Sequence, residues 1–231
     1  MPERRTITWQ RGIEQERVDW FVHKWCVFCI AYPEPADEAV RFYDRWAIEN
    51  NRDYVEREDV AVANTFQART PWGKWQPSLG AINQALAQID VKWGLFDPLP
   101  EEIWLQRRMQ VQALFEAAMR GGIGYASGTK VLHLKRPNLI PICDSVIVRR
   151  LAVQTRGNTY PAVAISCMEE LRKIGMSGQN RAVLGEAKNY VAGILGSESA
   201  YAHATDVRIL DAVLWSDTGE RRRYWPLLGW E

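Results

Sequence analysis

The chain has 231 residues, of which 47% are apolar and 25% are charged, and its formal net charge is +1 at pH 7. These values are typical of a globular protein and exclude a disordered, collagen-like or low-complexity chain. The near-neutral charge also excludes the general adhesion to DNA of a strongly basic protein, so any contact with DNA must be local and sensitive to salt.

The sequence has no pattern that predicts a membrane segment or export. A membrane-spanning helix needs roughly 18 apolar residues, and the best candidate, Trp20 to Tyr32, is interrupted by His23 and Lys24. The first residues show no signal-peptide pattern. We therefore expect a cytoplasmic protein with no membrane partner, in which the four cysteines are free thiols.

Apolar residues recur at helical spacing along most of the chain, as Val111, Leu114 and Ala118 do. In chain order, the predicted helices cover residues 18–29, 36–49, 78–89, a segment opened by Pro100 and Glu101, and residues 162–174, 180–195 and 206–215. Strand-like alternation is confined to Arg5 to Trp9. The pattern therefore predicts an all-α fold.

At this length the chain can form two helical lobes that share a cleft. We assign residues 36–140 to one lobe, and residues 1–35 together with residues 141–231 to the other. The cleft at their junction is the expected place for a ligand. We expect a monomer with no protein partner.

Residues 121 to 152 contain the features that most favour a function. Glycines 121, 122 and 124 separate two predicted helices. Glycines let the backbone approach a phosphate, and the N–H groups of the next helix can hold the anion; a simple helix stop is the alternative interpretation. Seven basic residues and a single acid lie between Arg120 and Arg156, which favours a phosphate-rich partner.

The single acid in that segment is Asp144, which follows Pro141 and precedes the short helical run Ser145 to Leu151. Its position is that of an N-cap, and a purely structural cap is one interpretation. A catalytic role is compatible with capping, because the helix start and nearby cations would keep the carboxylate ionised. An ionised carboxylate can stabilise the positive charge that develops when a base is cleaved from its sugar.

The run Gly122 to Gly124, the short helix after it and the segment Pro141 to Leu151 resemble the helix-hairpin-helix DNA glycosylases. The chain also resembles a bacterial branch of that superfamily in Ser127 to Ser145 and in an Arg-x-Leu-Asp-x-x-x-Trp element at Arg208 to Trp215. In this superfamily the hairpin grips the DNA backbone, and an aspartate that opens the next helix is catalytic. The resemblance therefore implies a helix-hairpin-helix element with a catalytic Asp144.

The sequence departs from that superfamily in two places. Met119 and Arg120 replace the usual Leu-Pro before the hairpin, and Ala126 stands where bifunctional members carry a lysine. These departures argue against a lyase step through a Schiff base, and we expect a monofunctional enzyme. Lys130, one helical turn after Ala126, is the candidate amine nucleophile and the second candidate catalytic residue. A solvated or phosphate-binding lysine is the alternative.

Other residues near the glycines are candidates for contact with DNA. The predicted DNA-binding residues are Gly122, Gly124, Ser127, Thr129, Lys135, Arg136, Arg149 and Arg150. Base stacking needs flat side chains, and eleven tryptophans exceed the needs of a core of this size. The predicted stacking residues are Trp72, Trp75 and Tyr125, and anchoring of the Trp72 loop in the core is the alternative.

The sequence contains little that indicates a metal site. His23, Cys26 and Cys29 have a hint of zinc spacing, but they lie on an apolar predicted helix with no second pair nearby, which favours core packing. The cysteines are also too scattered for the four-cysteine loop of an iron–sulfur cluster. We predict no metal and no cofactor.

These observations predict a DNA glycosylase that holds double-stranded DNA, flips out one nucleotide and excises its base, leaving an abasic site. The resemblance allows a damaged base or a bulky modified one, such as the sugar-modified cytosine of phage DNA, which would imply a role in anti-phage defence. A non-catalytic helical DNA-binding module is the alternative. A metal-dependent nuclease would need clustered carboxylates that we do not find.

Overall fold

The computed structural model describes residues 6–7, 16–17, 36–50, 52–195 and 204–216. The regular structure in these ranges is helical apart from two-residue strands β1 (Thr6–Ile7) and β2 (Glu16–Arg17), which pair antiparallel. The all-α prediction is confirmed for this part of the chain, whereas the predicted helix at residues 18–29, with its candidate zinc ligands, lies outside it. The helices are α1 (Ala36–Glu49), α2 (Arg57–Thr65), α3 (Leu79–Leu86), α4 (Glu101–Ala118), α5 (Tyr125–His133), α6 (Ser145–Arg150), α7 (Tyr160–Met176), α8 (Gly178–Leu195) and α9 (Asp206–Ser216).

The longer helices begin and bury their apolar faces where the sequence pattern predicts. Pro100 caps α4 at its N-terminus, and Glu101 lies in the first turn, where its charge complements the helix dipole. The predicted apolar stripe of α4, including Val111 and Leu114, is buried. Asp144 opens the short helix α6 as its N-cap, as its position indicates.

Helix α2 is the main element that the sequence pattern does not predict. It is only nine residues long and begins with the charged residues Arg57, Glu58 and Asp59. Its few apolar residues therefore do not stand out as a helical stripe in the sequence. A capping box, in which Glu56 and Asp59 satisfy each other's backbone N–H groups, fixes its start. The helix ends at Thr65, and its C-cap residue Phe66 is part of the site described below.

The buried apolar residues of the described ranges form one contiguous cluster that includes residues from both predicted lobes. Helix α7 packs against α4 and α5, and α9 packs against α6, α7 and α8. Helix α2 packs against both α1 and α5. This packing brings α1, α2, α5, α6 and α9 around a common cavity. None of the helices in the described ranges has the length and apolar character needed to cross a membrane.

Candidate active site

A cavity of about 110 Å³ opens where the ends of several helices meet. One water molecule needs roughly 10–15 Å³ by the same measure, so the cavity has room for several waters or part of a ligand. It contains both predicted catalytic residues. The lining residues are Ala39, Val40, Thr65, Phe66, Gln67, Lys130, Ile142, Asp144, Ile147, Arg208, Asp211 and Trp215.

Asp144 is both a helix cap and a cavity residue. One carboxylate oxygen, Oδ1, accepts hydrogen bonds from the backbone N–H groups of Val146 at 2.9 Å and Ile147 at 3.0 Å. The other, Oδ2, has no hydrogen-bond partner within the described ranges, and the residue is only half-buried. The cap therefore holds one oxygen in place and leaves the second available to a ligand.

The loop that carries Asp144 is fastened from two sides. His133 Nδ1 lies 2.6 Å from the carbonyl oxygen of Ile140, and the Thr129 hydroxyl accepts from the N–H of Cys143 at 3.0 Å. From α9, Asp211 Oδ2 accepts from the N–H of Ile142 at 3.2 Å. Burial lowers the pKa of His133 to about 3, so its ring is neutral and Nδ1 carries the proton that it donates. These contacts fix the carboxylate of Asp144 relative to α5 and α9.

Lys130 is buried in the wall of the same cavity. Its Nζ lies 3.5 Å from the carbonyl oxygen of Gln67 and 5.1 Å from the centre of the Phe66 ring. The backbone of Lys130 is held as well, because the Tyr43 hydroxyl donates to its carbonyl oxygen at 2.6 Å. Burial lowers the pKa of Lys130, and the nearby negative charge of Asp144 partly opposes this effect.

Helix α9 brings a buried ion network to the cavity. Arg208 pairs with Asp44 at 2.7 Å and with Asp211 at 2.5 Å. Burial raises the pKa of Asp211 to about 7, against the lowering effect of Arg208. Arg208, Asp211 and Trp215 are three of the residues in the Arg-x-Leu-Asp-x-x-x-Trp element, to which the sequence assigns no role. The structure places all three on the cavity wall.

The segment after α2 forms another wall that the sequence does not predict. Gln67 and Arg69 have positive φ angles of 61° and 52°, which are uncommon for residues other than glycine. The Asn64 carboxamide holds this segment by bonding both backbone groups of Thr70, at 2.9 and 2.8 Å. Because α2 itself is not predicted, no sequence signal places Phe66 or Gln67 beside Asp144.

The glycine turn between α4 and α5 has the flexible backbone that its sequence predicts. Gly121 and Gly122 have φ angles of 77° and 82°, and Gly124 is the extended N-cap residue of α5. Gly122 is exposed and Gly124 is half-buried. Nothing lies within 4 Å of the space that a Cβ would fill at either glycine. The turn therefore leaves room for another molecule to approach its backbone.

Four of the residues predicted to touch DNA or its bases are buried, and those predictions are wrong. Lys135 pairs with Asp59 at 2.7 Å, and Arg136 donates to the backbone of Ile89 and Leu86. Thr129 is fully buried, and its hydroxyl accepts a hydrogen bond from the N–H of Cys143 in the loop that carries Asp144. Trp75 is part of the core rather than a stacking platform.

The remaining predicted contact residues are at least partly accessible. The Ser127 hydroxyl donates to the carbonyl oxygen of Ala68 at 2.5 Å, so its proton is used within the protein. Arg149 is exposed and Arg150 is half-buried, both on the last turn of α6. These two arginines stay candidates for phosphate contact.

The two other aromatic candidates lie outside the cavity lining. Trp72 is half-buried against the core and does not line the cavity. Tyr125 packs edge-on against Tyr160, with ring centres 6.1 Å apart. Burial raises the pKa of Tyr125, and the negative charge of Asp144 raises it further.

The described residues contain no group of three or more His, Cys, Asp or Glu side chains that are placed to hold a metal ion. Lys188 on α8 pairs with Asp206 at 2.6 Å. The cavity wall itself supplies carboxylates, an amine and a guanidinium.

Comparison with known proteins places the chain in a family. Residues 30–218 match the model of a family of unknown function, DUF6308. The chain belongs to this family. The matched range contains Asp144, Lys130 and every other residue that lines the cavity, so the candidate site lies wholly within the shared region. No curated protein and no solved structure matches the chain.

Proposed function

We propose that the protein is a DNA glycosylase that acts on a nucleotide flipped out of duplex DNA. The observation that carries this proposal is the carboxylate of Asp144, which lines a cavity with one oxygen fixed by capping and one available to a ligand. The second support is Arg208, a buried guanidinium in the wall of the same cavity. A carboxylate can stabilise positive charge that develops beside it.

Cleavage of an N-glycosidic bond develops that charge at C1′ of the sugar. The bond breaks with its electron pair leaving on the base, water adds its oxygen to C1′, and the base takes up a proton. Asp144 would stabilise the oxocarbenium-like sugar and orient the water. The product is free base and an abasic site, and its formation needs no cofactor.

The DNA would be held beside this cavity by the turn between α4 and α5. We propose that these helices and the turn form a helix-hairpin-helix element, with Gly122 and Gly124 against the phosphate backbone. Arg149 and Arg150 would add phosphate contacts. The two-lobe arrangement, the cytoplasmic location and the monomeric state stay predictions from the sequence.

An assay without metal tests the proposal. Duplexes carrying uracil, 8-oxoguanine, an alkylated adenine or glucosylated 5-hydroxymethylcytosine are incubated with the protein in EDTA, and half of each sample is then treated with alkali. Breaks at the modified base in EDTA, before or after the alkali treatment, support a glycosylase. Strand breaks that appear only after metal is added, without alkali, would instead indicate a nuclease.

A non-catalytic DNA-binding module is the second candidate, because the cap bonds of Asp144 are sufficient by themselves to explain an aspartate at this position. This candidate predicts a mobility shift of duplex DNA with no abasic sites on any substrate. The same samples, run on a native gel, separate the two candidates.

A further inference from the structure

We propose that Lys130 is an amine nucleophile that attacks the abasic sugar and cleaves the DNA strand after the base has left. This lyase activity rests on the proposed function, because the abasic site is the product of base excision. It goes beyond that function because it adds cleavage of the DNA strand. It also assigns this step to Lys130, since Ala126 stands where bifunctional members of the superfamily carry a lysine.

The first support is a contrast between two buried lysines. Lys135 has a carboxylate partner, Asp59, at 2.7 Å, and its Nζ also donates to the carbonyl oxygen of Asn50 at 3.0 Å. Lys130 has no ion pair within the described ranges, and its Nζ has the carbonyl oxygen of Gln67, at 3.5 Å, and the face of the Phe66 ring, at 5.1 Å. A buried ammonium without a counter-ion is costly, so a structural role explains Lys135 but not Lys130.

The second support is the place of the amine. Lys130 lies in the cavity wall together with Asp144, and the Phe66 ring lies 5.1 Å from Nζ. Desolvation of this kind favours the neutral amine, which is the nucleophilic form; the lowered pKa of Lys130 agrees with it. Lys130 also follows Ala126 by four residues on α5, so the two positions share one face of the helix.

The step balances without an added oxidant or reductant. Nζ of Lys130 attacks the C1′ aldehyde of the ring-opened abasic sugar, and loss of water gives an imine. Removal of a proton from C2′, for which Asp144 is the available carboxylate, forms a C2′–C3′ double bond and expels the 3′ phosphate. Hydrolysis of the imine by water then restores the amine.

The experiment uses a duplex with a preformed abasic site, so that base excision is not needed. The full chain is incubated with this duplex and sodium borohydride, which reduces an imine to a stable amine link. We expect a covalent protein–DNA band, and a strand break when borohydride is left out. Peptide mass spectrometry of the wild-type adduct should place the sugar remnant on residue 130.

Two variants and a control complete the test. Lys130→Met and Lys130→Arg should lose the covalent band and the break, whereas Lys92→Met, which changes an exposed lysine outside the cavity, should keep both. Absence of the band with wild-type protein, a remnant mapped to another residue, or a band that survives in folded Lys130→Arg would each overturn the proposal.

Failure of the lyase step and failure of the proposed glycosylase activity give different results. Base release from modified duplexes without a covalent band on abasic DNA would refute the lyase step and leave the glycosylase standing. A band at Lys130 without base release from any substrate would support the amine and refute the excision step.

Discussion

At the scale of single residues, Asp144 has two roles that a substitution can separate. Its capping role needs only an acceptor oxygen toward the N–H groups of Val146 and Ile147. Its proposed chemical role needs the negative charge. Asparagine keeps the acceptor and removes the charge, whereas alanine removes both.

We therefore expect Asp144→Asn to unfold at nearly the wild-type temperature, because asparagine caps helices as well as aspartate does. Asp144→Ala should lower the free energy of unfolding by about 1 kcal/mol, since the cap bonds are lost. Thermal and chemical unfolding measure both values. Equal losses in the two variants would show that the charge itself holds the fold.

The two buried lysines give a second prediction at this scale. Lys130→Met should leave the free energy of unfolding unchanged or raise it by up to about 2 kcal/mol, because an unpaired buried cation is replaced by an apolar side chain. The matched change Lys135→Met should lower it by about 3–5 kcal/mol, because Asp59 would stay buried without its partner. Chemical unfolding of both variants measures the contrast, and similar losses would contradict it.

The raised pKa of Asp211 predicts a pH dependence. Burial raises this pKa to about 7, so the folded state keeps a proton that the unfolded state releases near pH 4. The stabilisation from this proton is complete below about pH 4 and is lost as the pH rises to about 7. Asp211→Asn does not titrate and retains an acceptor for the N–H of Ile142.

We therefore expect the free energy of unfolding to fall less between pH 4.5 and pH 7.5 (roughly the window of this titration) in Asp211→Asn than in the wild type. Some pH dependence should persist, because burial also raises the pKa of Asp44. Urea unfolding at both pH values tests this prediction. An unchanged difference between the two pH values would mean that Asp211 is ionised throughout.

At the scale of elements, the turn between α4 and α5 is the proposed contact with DNA. Gly122 needs its positive φ, so a side chain there strains the backbone. Gly124 has an ordinary φ of −69° and open space where a Cβ would stand. A methyl group at Gly124 therefore disturbs only a molecule that approaches from outside.

We expect Gly124→Ala to lower the free energy of unfolding by no more than about 1 kcal/mol, because alanine is a poorer N-cap than glycine, and to bind duplex DNA more weakly. Gly122→Ala should lower the free energy of unfolding by about 1 kcal/mol. Gly80→Ala, which adds a methyl group to an exposed position of α3 with open space around it, is the control and should bind normally. Unchanged DNA affinity in Gly124→Ala would remove this turn from the DNA interface.

Some elements of the fold were predictable from the sequence and others were not. The periodic stripe of α4 and the cap at Asp144 were predictable because each depends on local spacing. Helix α2 was not predictable, because it is short and its charged first turn leaves no clear apolar stripe in the sequence. The cavity wall formed by Phe66 and Gln67 follows this helix and was missed for the same reason. Lys135 and Arg136 were predicted on the surface because a sequence does not show that Asp59 and the carbonyl oxygens of Leu86 and Ile89 lie beside them.

At the scale of the whole molecule, burial reduces the positive charge that the sequence concentrates between residues 120 and 156. Lys130, Lys135 and Arg136 are buried, so the exposed part of this charge comes from Arg120, Arg149 and Arg156, with Arg150 half-buried. Few phosphate contacts are then available, and we expect the affinity for DNA to be modest. One continuous core supports both sides of the cavity, which keeps Asp144, Lys130 and α9 in fixed relation.

The central claim is that the charge of Asp144 drives release of a base from DNA. The most direct measurement is quantification of free base by mass spectrometry after modified duplexes are incubated with wild-type protein or with Asp144→Asn. We predict that the wild type releases a base from at least one duplex and that Asp144→Asn, folded and still bound to DNA, releases almost none. Equal release by the two proteins would contradict the account.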